Sequence, residues 1–276
     1  MTRHESTIGR RVLITGGSGG IGRALAELYG EEGARLVLAD QNTETLETTA
    51  NELRARGFEV TAVATDVREL ESVRKLIEAA RSAYGGTDVL INCAGVAVYS
   101  RARDLSFEQW DRILKVNLYG TVHTITTLLP EMLERRSGQI INIASMQGLL
   151  SVPNAVPYCA SKFAVVGLSR GLRAELKKEG IRVLVVNPGV VRTGIMRGAI
   201  SGRVSFFGRE FDVSDRHAAM FERSWLGISA EEAARSIRRA AARNKSEIEL
   251  GIDAKLAAMA VRLFPGLAQR LAEVMA

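Results

Sequence analysis

The sequence predicts an α/β fold in which a parallel sheet is covered by helices on both faces. Short apolar runs alternate along the chain with longer amphipathic segments, which is the pattern of strand, helix and strand in repetition. The predicted strands are apolar almost throughout, as in the run Val-Leu-Val-Val at 183–186, so each is expected to be buried on both sides. Right-handed crossovers then place the connecting helices on both faces of the sheet.

Individual elements follow from the same pattern. Strands are predicted at 11–15, 35–39, 59–63, 89–91, 139–143, 182–186 and 247–250. Helices are predicted at 21–32, 43–56, 69–84, 158–179 and 230–243. Residues 1–276 are expected to form a single domain, because no stretch has the composition of an interdomain linker. Segment 192–227 is long and poorly periodic, and we expect it to be a lid over a substrate site.

Composition and charge exclude several classes of protein. Hydrophobic residues make up 46% of the 276 residues and charged residues 25%, which is typical of a soluble globular protein. The formal net charge of +6 is spread along the chain, so no nucleic-acid partner is expected. Cys93 and Cys159 match neither a disulfide framework nor a zinc pattern. With a polar amino terminus and no continuous apolar span, the sequence predicts a cytoplasmic protein without a transmembrane segment or a metal site.

A glycine-rich segment follows the first predicted strand immediately. Gly16, Gly20 and Gly22 stand where a helix begins, in the spacing Gly-x-x-x-Gly-x-Gly. Glycines allow the backbone to approach a pyrophosphate closely, and the amide groups and positive dipole end of a helix attract its negative charge. The segment therefore predicts a dinucleotide-binding loop.

Asp40 ends the second predicted strand. An acidic side chain at this place accepts hydrogen bonds from an adenosine ribose and repels a 2′-phosphate. Gln41 follows it, and neither Ser18 nor Gly19 is basic, so the sequence offers no obvious cation for that phosphate. NAD is therefore the predicted cofactor, in preference to NADP.

Polar residues in the middle of the chain form a candidate proton-transfer group. Tyr158 and Lys162 stand four residues apart at the start of a predicted helix, so they share one face. A cation about 4 Å from a phenol favours the phenolate by roughly 4 kcal/mol, or about three pKa units, at an effective dielectric constant of about 20. We therefore expect Lys162 to lower the pKa of Tyr158. Ser145 could offer its hydroxyl to a carbonyl oxygen, and Asn117 could anchor a proton-relay water.

Taken together, these motifs resemble the short-chain dehydrogenase/reductase family. The matching segments are Thr15-Gly-x-x-x-Gly-x-Gly22, Asn92-Cys-Ala-Gly95, Asn117, Ser145, Tyr158-Cys-Ala-Ser-Lys162 and Asn187-Pro-Gly189, in this order, within about residues 10 to 250. The resemblance implies a Rossmann-type, doubly wound fold with a seven-stranded parallel sheet and a nicotinamide cofactor. One departure is Cys93, which stands where the family usually has a second asparagine. We expect this difference to weaken a structural hydrogen bond and to leave activity in place.

The resemblance also implies roles for individual residues. Those that match the family's catalytic tetrad are Asn117, Ser145, Tyr158 and Lys162. Tyr158 would be the acid/base, Ser145 would orient the carbonyl or alcohol, and Lys162 would bind the nicotinamide ribose. Asp66 matches a contact to adenine, and Thr193 matches a contact to the carboxamide. The implied cofactor-binding residues are Gly16, Ser18, Gly20, Ile21, Gly22, Asp40, Asp66, Val67, Asn92, Ala94, Gly95, Tyr158, Lys162, Pro188, Gly189 and Thr193.

The expected function is an NAD(H)-dependent oxidoreductase that interconverts a secondary alcohol and a ketone. Two alternatives remain. A sugar-nucleotide epimerase or dehydratase shares the Tyr-x-x-x-Lys pair, although the length of 276 residues and the glycine spacing argue against it. A cofactor-sensing or interaction protein keeps the fold without the chemistry, although the intact tetrad argues against that. The resemblance also implies a homodimer or homotetramer, built partly from the helices near 117–135 and 158–178.

Two segments outside the shared motifs bear on the substrate and on partners. The predicted lid, 192–227, carries aromatic and aliphatic residues that the sheet does not need, which predicts a hydrophobic ketone or alcohol. The carboxy-terminal segment 252–276 is predicted to be a helical tail, broken at Pro265-Gly266. Two interpretations of the tail stay open. In the first, the tail packs on the domain or on a neighbouring subunit. In the second, it lies on a membrane surface with Lys255, Arg262 and Arg270 near lipid headgroups.

Overall fold

Parallel strands form the central sheet of the protein. The computed structural model describes residues 7–193, 195, 199–201, 203–206, 209–212 and 227–274. The sheet consists of β1 (Arg11–Thr15), β2 (Arg35–Asp40), β3 (Val60–Ala64), β4 (Val89–Asn92), β5 (Gly138–Ile143), β6 (Ile181–Pro188) and β7 (Glu247–Leu250). Its order is β7-β6-β5-β4-β1-β2-β3, and every neighbouring pair is parallel. The predicted doubly wound, seven-stranded sheet is confirmed.

Helices cover both faces of this sheet. They are α1 (Gly20–Glu31), α2 (Thr43–Ala55), α3 (Leu70–Tyr84), α4 (Phe107–Leu114), α5 (Gly120–Glu134), α6 (Val156–Leu176), α7 (Ala230–Ala242), α8 (Ile252–Leu263) and α9 (Pro265–Val274). All five predicted helices are present with shifted ends. Helix α6 begins at Val156, before the predicted start, and the predicted residues 177–179 form a separate 3₁₀ turn. A π-helical turn, Lys115–Tyr119, joins α4 to α5.

Alternating side chains of β1 show how the two faces of the sheet are filled. Val12 and Ile14 belong to a core cluster that includes residues of α1, α2 and α7. Leu13 belongs to the opposite cluster, which includes residues of α3 and α5. All three side chains are fully buried. The continuous apolar character of the predicted strands is therefore explained by burial on both faces.

The strand order reverses between β1 and β4, which are neighbours in the sheet but not in the chain. In open parallel sheets, such a reversal leaves a crevice at the carboxyl ends of the strands, where the loops turn to opposite faces. Here Thr15 ends β1 and Asn92 ends β4, and the two are paired in register. The fold thus brings the glycine-rich segment beside the chain that follows β4.

The predicted lid, 192–227, lies largely outside the described residues. Its described parts include Ile200–Ser201, which pairs with Val98–Tyr99, and an antiparallel pair formed by Arg203–Phe206 and Arg209–Asp212. Its two ends meet, because Val191–Arg192 pairs with Ile228–Ser229. The tail is described as far as residue 274 and consists of α8 and α9, which meet at Pro265 as the sequence predicts.

Candidate functional site

A cavity of about 490 Å³ lies at the carboxyl ends of the central strands. Its lining includes most of the predicted site residues: Gly16, Ser18, Gly20, Ile21, Asp40, Asp66, Val67, Ala94, Gly95, Ser145, Tyr158, Lys162, Pro188, Gly189 and Thr193. Three predicted residues, Gly22, Asn92 and Asn117, do not line it. One cavity therefore joins an acidic end, defined by Ser18, Asp40 and Asp66, to a buried end, defined by Ser145, Tyr158 and Lys162.

The glycine-rich segment fits closely against the chain after β4. Gly16 has a φ of +65°, and a Cβ there would lie 2.9 Å from backbone atoms of Ala94. A Cβ at Gly22 would overlap the carbonyl oxygen of Gly16. Within the described residues, α1 begins without a capping side chain and has no acidic residue in its first turn. Close backbone approach and an open helix amino terminus together fit the pyrophosphate of a dinucleotide.

The carboxylate of Asp40 is held at the acidic end by its neighbours. The Ser18 hydroxyl donates to Asp40 Oδ2 at 2.6 Å, and the backbone N–H of Asn42 donates to Oδ1 at 3.2 Å. These bonds fix the orientation of the carboxylate in the cavity wall. Its position at the end of β2 fits the predicted contact to an adenosine ribose.

Asp66 forms the other acidic side of this end, and Arg68 binds it. Arg68 Nη2 donates to Asp66 Oδ2 at 2.5 Å, and Gln41 Nε2 donates to the same oxygen at 3.2 Å. The hydrogen bond from Arg68 holds the pKa of Asp66 below its usual value. Arg68 itself does not line the cavity. Its charge is directed at Asp66 and leaves Asp40 as the acidic group facing the predicted ribose.

The buried end brings together residues from β5 and α6. Ser145 follows β5 and accepts a hydrogen bond from the backbone N–H of Gln147 at 3.1 Å. Lys162 Nζ donates to the carbonyl oxygen of Ile143 at 2.9 Å and lies 5.6 Å from the centre of the Tyr158 ring. Tyr158 is 9% exposed and Lys162 is 5% exposed. A phenol, a hydroxyl and an amine therefore meet in a poorly hydrated site.

Burial dominates the protonation of this group. It raises the pKa of Tyr158 well above the usual value near 10, with a further contribution from Tyr99, while a hydrogen bond with Ser145 acts in the opposite direction. Burial also lowers the pKa of Lys162 to about 8. The sequence predicts a lowered pKa for Tyr158, whereas its net pKa is raised, because desolvation of the phenol is the largest effect. A lowering contribution from Lys162 stays a prediction.

Asn117 lies behind the cavity wall, in the π-helical turn between α4 and α5. Its Oδ1 accepts from the N–H of Val96 at 2.8 Å, and its Nδ2 donates to the carbonyl oxygen of Val96 and to Ser161 Oγ, both at 3.0 Å. Both amide hydrogens are therefore used within the protein. The side chain ties the segment after β4 to α6, the helix that carries Tyr158.

Asn92 lies behind the cavity wall, like Asn117. Its Nδ2 donates to Asn142 Oδ1 at 2.9 Å, and its Oδ1 accepts from the Thr124 hydroxyl at 2.6 Å. These bonds join β4 to β5 and α5 behind the cavity. The Asn92 side chain thus supports the strand ends, and the cofactor contact expected at this residue stays a prediction.

Thr15 holds the segment in which Cys93 replaces the family's usual asparagine. The backbone N–H groups of Cys93 and Ala94 both donate to Thr15 Oγ1 at 3.2 Å. Burial raises the pKa of the Cys93 thiol to about 11, so it is a neutral group at physiological pH. Cys159 is buried. The segment thus keeps its backbone anchors without the asparagine side chain.

Two polar residues outside the sequence motifs line the cavity next to Ser145 and Tyr158. Tyr99 lies in the short strand Val98–Tyr99, and burial raises its pKa to about 12. Gln147 follows Ser145 by two positions, and its Oε1 is buried with no hydrogen-bond partner among the described residues. Packing between segments that are distant in the chain places both of them, and no local sequence signal marks either residue.

Asp253, in the first turn of α8, supports the cavity from the tail. Its Oδ2 accepts a hydrogen bond from the backbone N–H of Val190 at 2.6 Å. A Cβ at Gly189 would overlap the Asp253 carboxylate, so the glycine allows this close contact. Gly189 and Val190 both line the cavity. The base of the tail is thus bonded to the loop after β6, and no sequence motif points to Asp253.

Comparisons with known proteins agree with this geometry. A family model described as short chain dehydrogenase matches residues 10–203. An uncharacterized oxidoreductase of Staphylococcus aureus strain MW2 is 42% identical over 183 residues, which are 66% of this chain and 78% of that protein. An uncharacterized oxidoreductase of Thermotoga maritima is 38% identical over 185 residues, which are 67% of this chain and 72% of that protein.

Solved structures extend the similarity over most of the chain. A short chain dehydrogenase/reductase from Burkholderia phymatum, in complex with NAD, has a TM-score of 0.81 and 32% identity, with 94% of this chain and 93% of that chain covered. A putative short-chain dehydrogenase from Novosphingobium aromaticivorans has a TM-score of 0.80 and 27% identity, with 94% and 86% covered. This chain belongs to the short-chain dehydrogenase family, whose members are oxidoreductases.

Proposed function

We propose that this protein is an NAD-dependent oxidoreductase that interconverts a secondary alcohol and a ketone. The observation that carries the proposal is the single cavity, which joins the glycine-rich segment and Asp40 to Ser145, Tyr158 and Lys162. Membership of the short-chain dehydrogenase family and the NAD complex of the Burkholderia phymatum relative support it.

The preference for NAD rests on the acidic end. Asp40 is oriented by Ser18 and offers a carboxylate to a ribose hydroxyl, whereas a 2′-phosphate at the same place would meet like charge. Arg68 is paired with Asp66 and does not line the cavity, so it offers that phosphate no direct contact. The other predicted contacts along the cavity, such as Thr193 with the carboxamide, belong to the same proposal.

The chain's own residues handle the proton of the reaction. A bound nicotinamide supplies the hydride acceptor or donor. Tyr158, whose pKa is raised by burial, stays protonated at physiological pH and can donate its phenolic proton to a ketone oxygen during reduction. Ser145 donates a hydrogen bond to the same oxygen, and the Lys162 ammonium stabilises the phenolate that remains. Asn117 positions α6 and the segment after β4 around this group.

The lining near the buried end favours a largely apolar substrate. Apolar side chains there belong to Val96, Val116, Met146, Val190 and Ile195. Tyr99, Gln147 and Arg112 add hydrogen-bonding groups to the lining. A hydrophobic ketone or alcohol that carries one further polar group would use both parts of the lining. The homo-oligomer and the cytoplasmic location remain predictions from the sequence.

A panel of secondary alcohols and ketones, followed by the absorbance of NADH, tests the proposed reaction. We expect turnover with at least one hydrophobic member and loss of that turnover in Tyr158→Phe. Tyr119→Phe is a matched control, because Tyr119 is a surface tyrosine that is 52% exposed and does not line the cavity. NAD binding without turnover of any panel member would instead favour a cofactor-sensing protein.

A further inference from the structure

The carboxy-terminal tail, residues 252–274, has small side chains on one side and large apolar side chains on the other. The buried members on the inner side are Ala254, Ala258, Ala268 and Ala272. The large side chains are between 53% and 67% exposed, and we call them the outer face: Ile252, Leu256, Met259, Leu263, Phe264, Leu267, Leu271 and Val274. The tail therefore packs through alanine and exposes its larger apolar groups.

Helical spacing aligns the members of the outer face within each helix of the tail. In α8 its members recur at intervals of four, three and four residues, and from Phe264 through α9 they recur at three, four and three. Residues at these intervals lie on one side of a helix. Single exposed apolar residues are ordinary on protein surfaces, but rows of large apolar side chains along one side of each helix mark an interaction surface.

The charges beside the outer face are mainly positive. Lys255 and Arg270 are exposed, and Arg262 is exposed while bonded to Glu249 at 3.0 Å. Of the two acidic residues of the tail, Asp253 is turned towards the protein, where it binds the Val190 N–H, and Glu273 in α9 is exposed. The whole chain also carries a formal net charge of +6. An apolar face flanked by cations complements a surface with a hydrocarbon interior and anionic headgroups.

A second copy of the chain is a poorer occupant for this face. In a symmetric contact both copies present the same patch, and each patch carries a net excess of cations, Lys255, Arg262 and Arg270 against the exposed Glu273. Like charges across a contact oppose binding. An anionic lipid surface has no such conflict, because its headgroups attract Lys255 and Arg270 while its acyl region accepts the large side chains.

We propose that the tail lies in the plane of an anionic lipid surface, with the outer face in the boundary between headgroups and acyl chains. Affinity then comes from the buried apolar area together with attraction between the cations and the headgroups. Among the described residues, no helix has the length and apolar character to cross a membrane. The proposal concerns binding in the plane of the surface.

The base of the tail adjoins the cavity. Helix α8 packs near the turn Met146–Gly148, and Asp253 bonds to Val190 in the loop after β6. Met146 and Val190 line the cavity. Under the proposed function the substrate is apolar, and docking then keeps the cavity close to the lipid phase in which that substrate dissolves. The docking itself does not depend on the reaction.

Co-sedimentation of the full chain with vesicles tests the docking. We expect binding to vesicles of phosphatidylcholine with phosphatidylglycerol, weaker binding to phosphatidylcholine alone, and a decrease as salt is raised. The double variant L256Q/L271Q should lower the partition coefficient about tenfold or more, because two large side chains of the outer face become polar. Phe107→Gln is the matched control, since Phe107 is 79% exposed but lies on α4. Its binding should be unchanged.

A second double variant separates the contribution of the tail's cations to vesicle binding from that of its apolar side chains. K255Q/R270Q keeps the outer face and should lose most of the preference for anionic vesicles. It also serves as the test if L256Q/L271Q does not fold.

Absence of binding to anionic vesicles, or equal binding by the unmodified chain and both variants, would overturn the proposal. So would a homo-oligomer that dissociates in L256Q/L271Q while vesicle binding is absent, since a second copy would then be the occupant. The assay contains no cofactor or substrate, so its failure leaves the proposed reaction untouched.

Discussion

The two ends of the cavity control their charges in different ways. At the acidic end, Asp66 and Arg68 are partly exposed, and a hydrogen bond between them lowers the pKa of the carboxyl. At the buried end, Tyr158 and Lys162 are less than a tenth exposed, and desolvation shifts both pKa values towards the neutral forms. Individual hydrogen bonds set the charge where water reaches the site, and burial sets it where water does not.

This difference predicts different consequences of substitution at the two ends. A change at the acidic end should alter which cofactor is preferred, because the side chains there recognise a ribose. A change at the buried end should alter the rate or the pH dependence of stability, because the groups there exchange protons in a poorly hydrated site. The following expectations test that division.

The largest effect is expected for Tyr158→Phe at the buried end. The substitution removes the phenolic hydroxyl and keeps the ring, so NAD binding and the fold should persist. The turnover number should fall about 10²- to 10⁴-fold, which is the usual contribution of a general acid or base. Steady-state kinetics with NADH detection measures the loss. A near-normal rate with the same substrate would remove Tyr158 from the proposed mechanism.

At the acidic end, Asp40→Ala should change cofactor preference. The ratio of kcat/KM for NADP to that for NAD should rise about tenfold, equivalent to about 1.4 kcal/mol, because the like charge facing the 2′-phosphate is removed. Adding Gln41→Arg should raise the ratio further. Glu44→Ala, an exposed acid on α2 that does not line the cavity, should leave the ratio unchanged. Equal efficiency of the unmodified protein with both cofactors would contradict the assignment of NAD.

Lys162 should make stability depend on pH in an identifiable window. Its pKa is about 8 in the folded protein against an ordinary value of 10.5, so between these values the unfolded chain binds more protons. The free energy of unfolding should therefore rise between pH 8 and pH 10, by about 2 kcal/mol for this group. Urea unfolding at several pH values measures the slope. Lys162→Met should lack this contribution, and an unchanged slope in that variant would show that another group causes it.

The smallest effect is expected at Asp253, which lies outside both ends. Asp253→Asn keeps an acceptor oxygen for the Val190 N–H but removes the charge, so the free energy of unfolding should fall by about 1 kcal/mol. The KM for NAD should rise a few-fold, with kcat little changed, because the loop after β6 is less firmly held. Asp111→Asn, on α4, is a control away from that loop. A larger effect on kcat than on KM would contradict a positioning role.

Much of the fold follows from local periodicity. The apolar runs predict each strand of the sheet within a few residues, because burial on both faces requires continuous apolar sequence. The predicted start of α6, at residue 158, is two residues late, since Val156 and Pro157 begin the helix before the amphipathic pattern is established. The π-helical turn Lys115–Tyr119 has no periodic signal at all, because it is a local departure from regular helical hydrogen bonding.

The sequence by itself determined the strand and helix pattern, the glycine-rich turn after β1 and the shared helix face of Tyr158 and Lys162. These features depend on residues that are close together in the chain. Only the tertiary structure placed Asn92 and Asn117 behind the cavity wall, joined Asp253 to Val190 and turned the large apolar side chains of the tail outwards. It also decided the protonation of Tyr158, because desolvation depends on how completely distant segments of the chain cover a group, and sequence spacing does not contain that quantity.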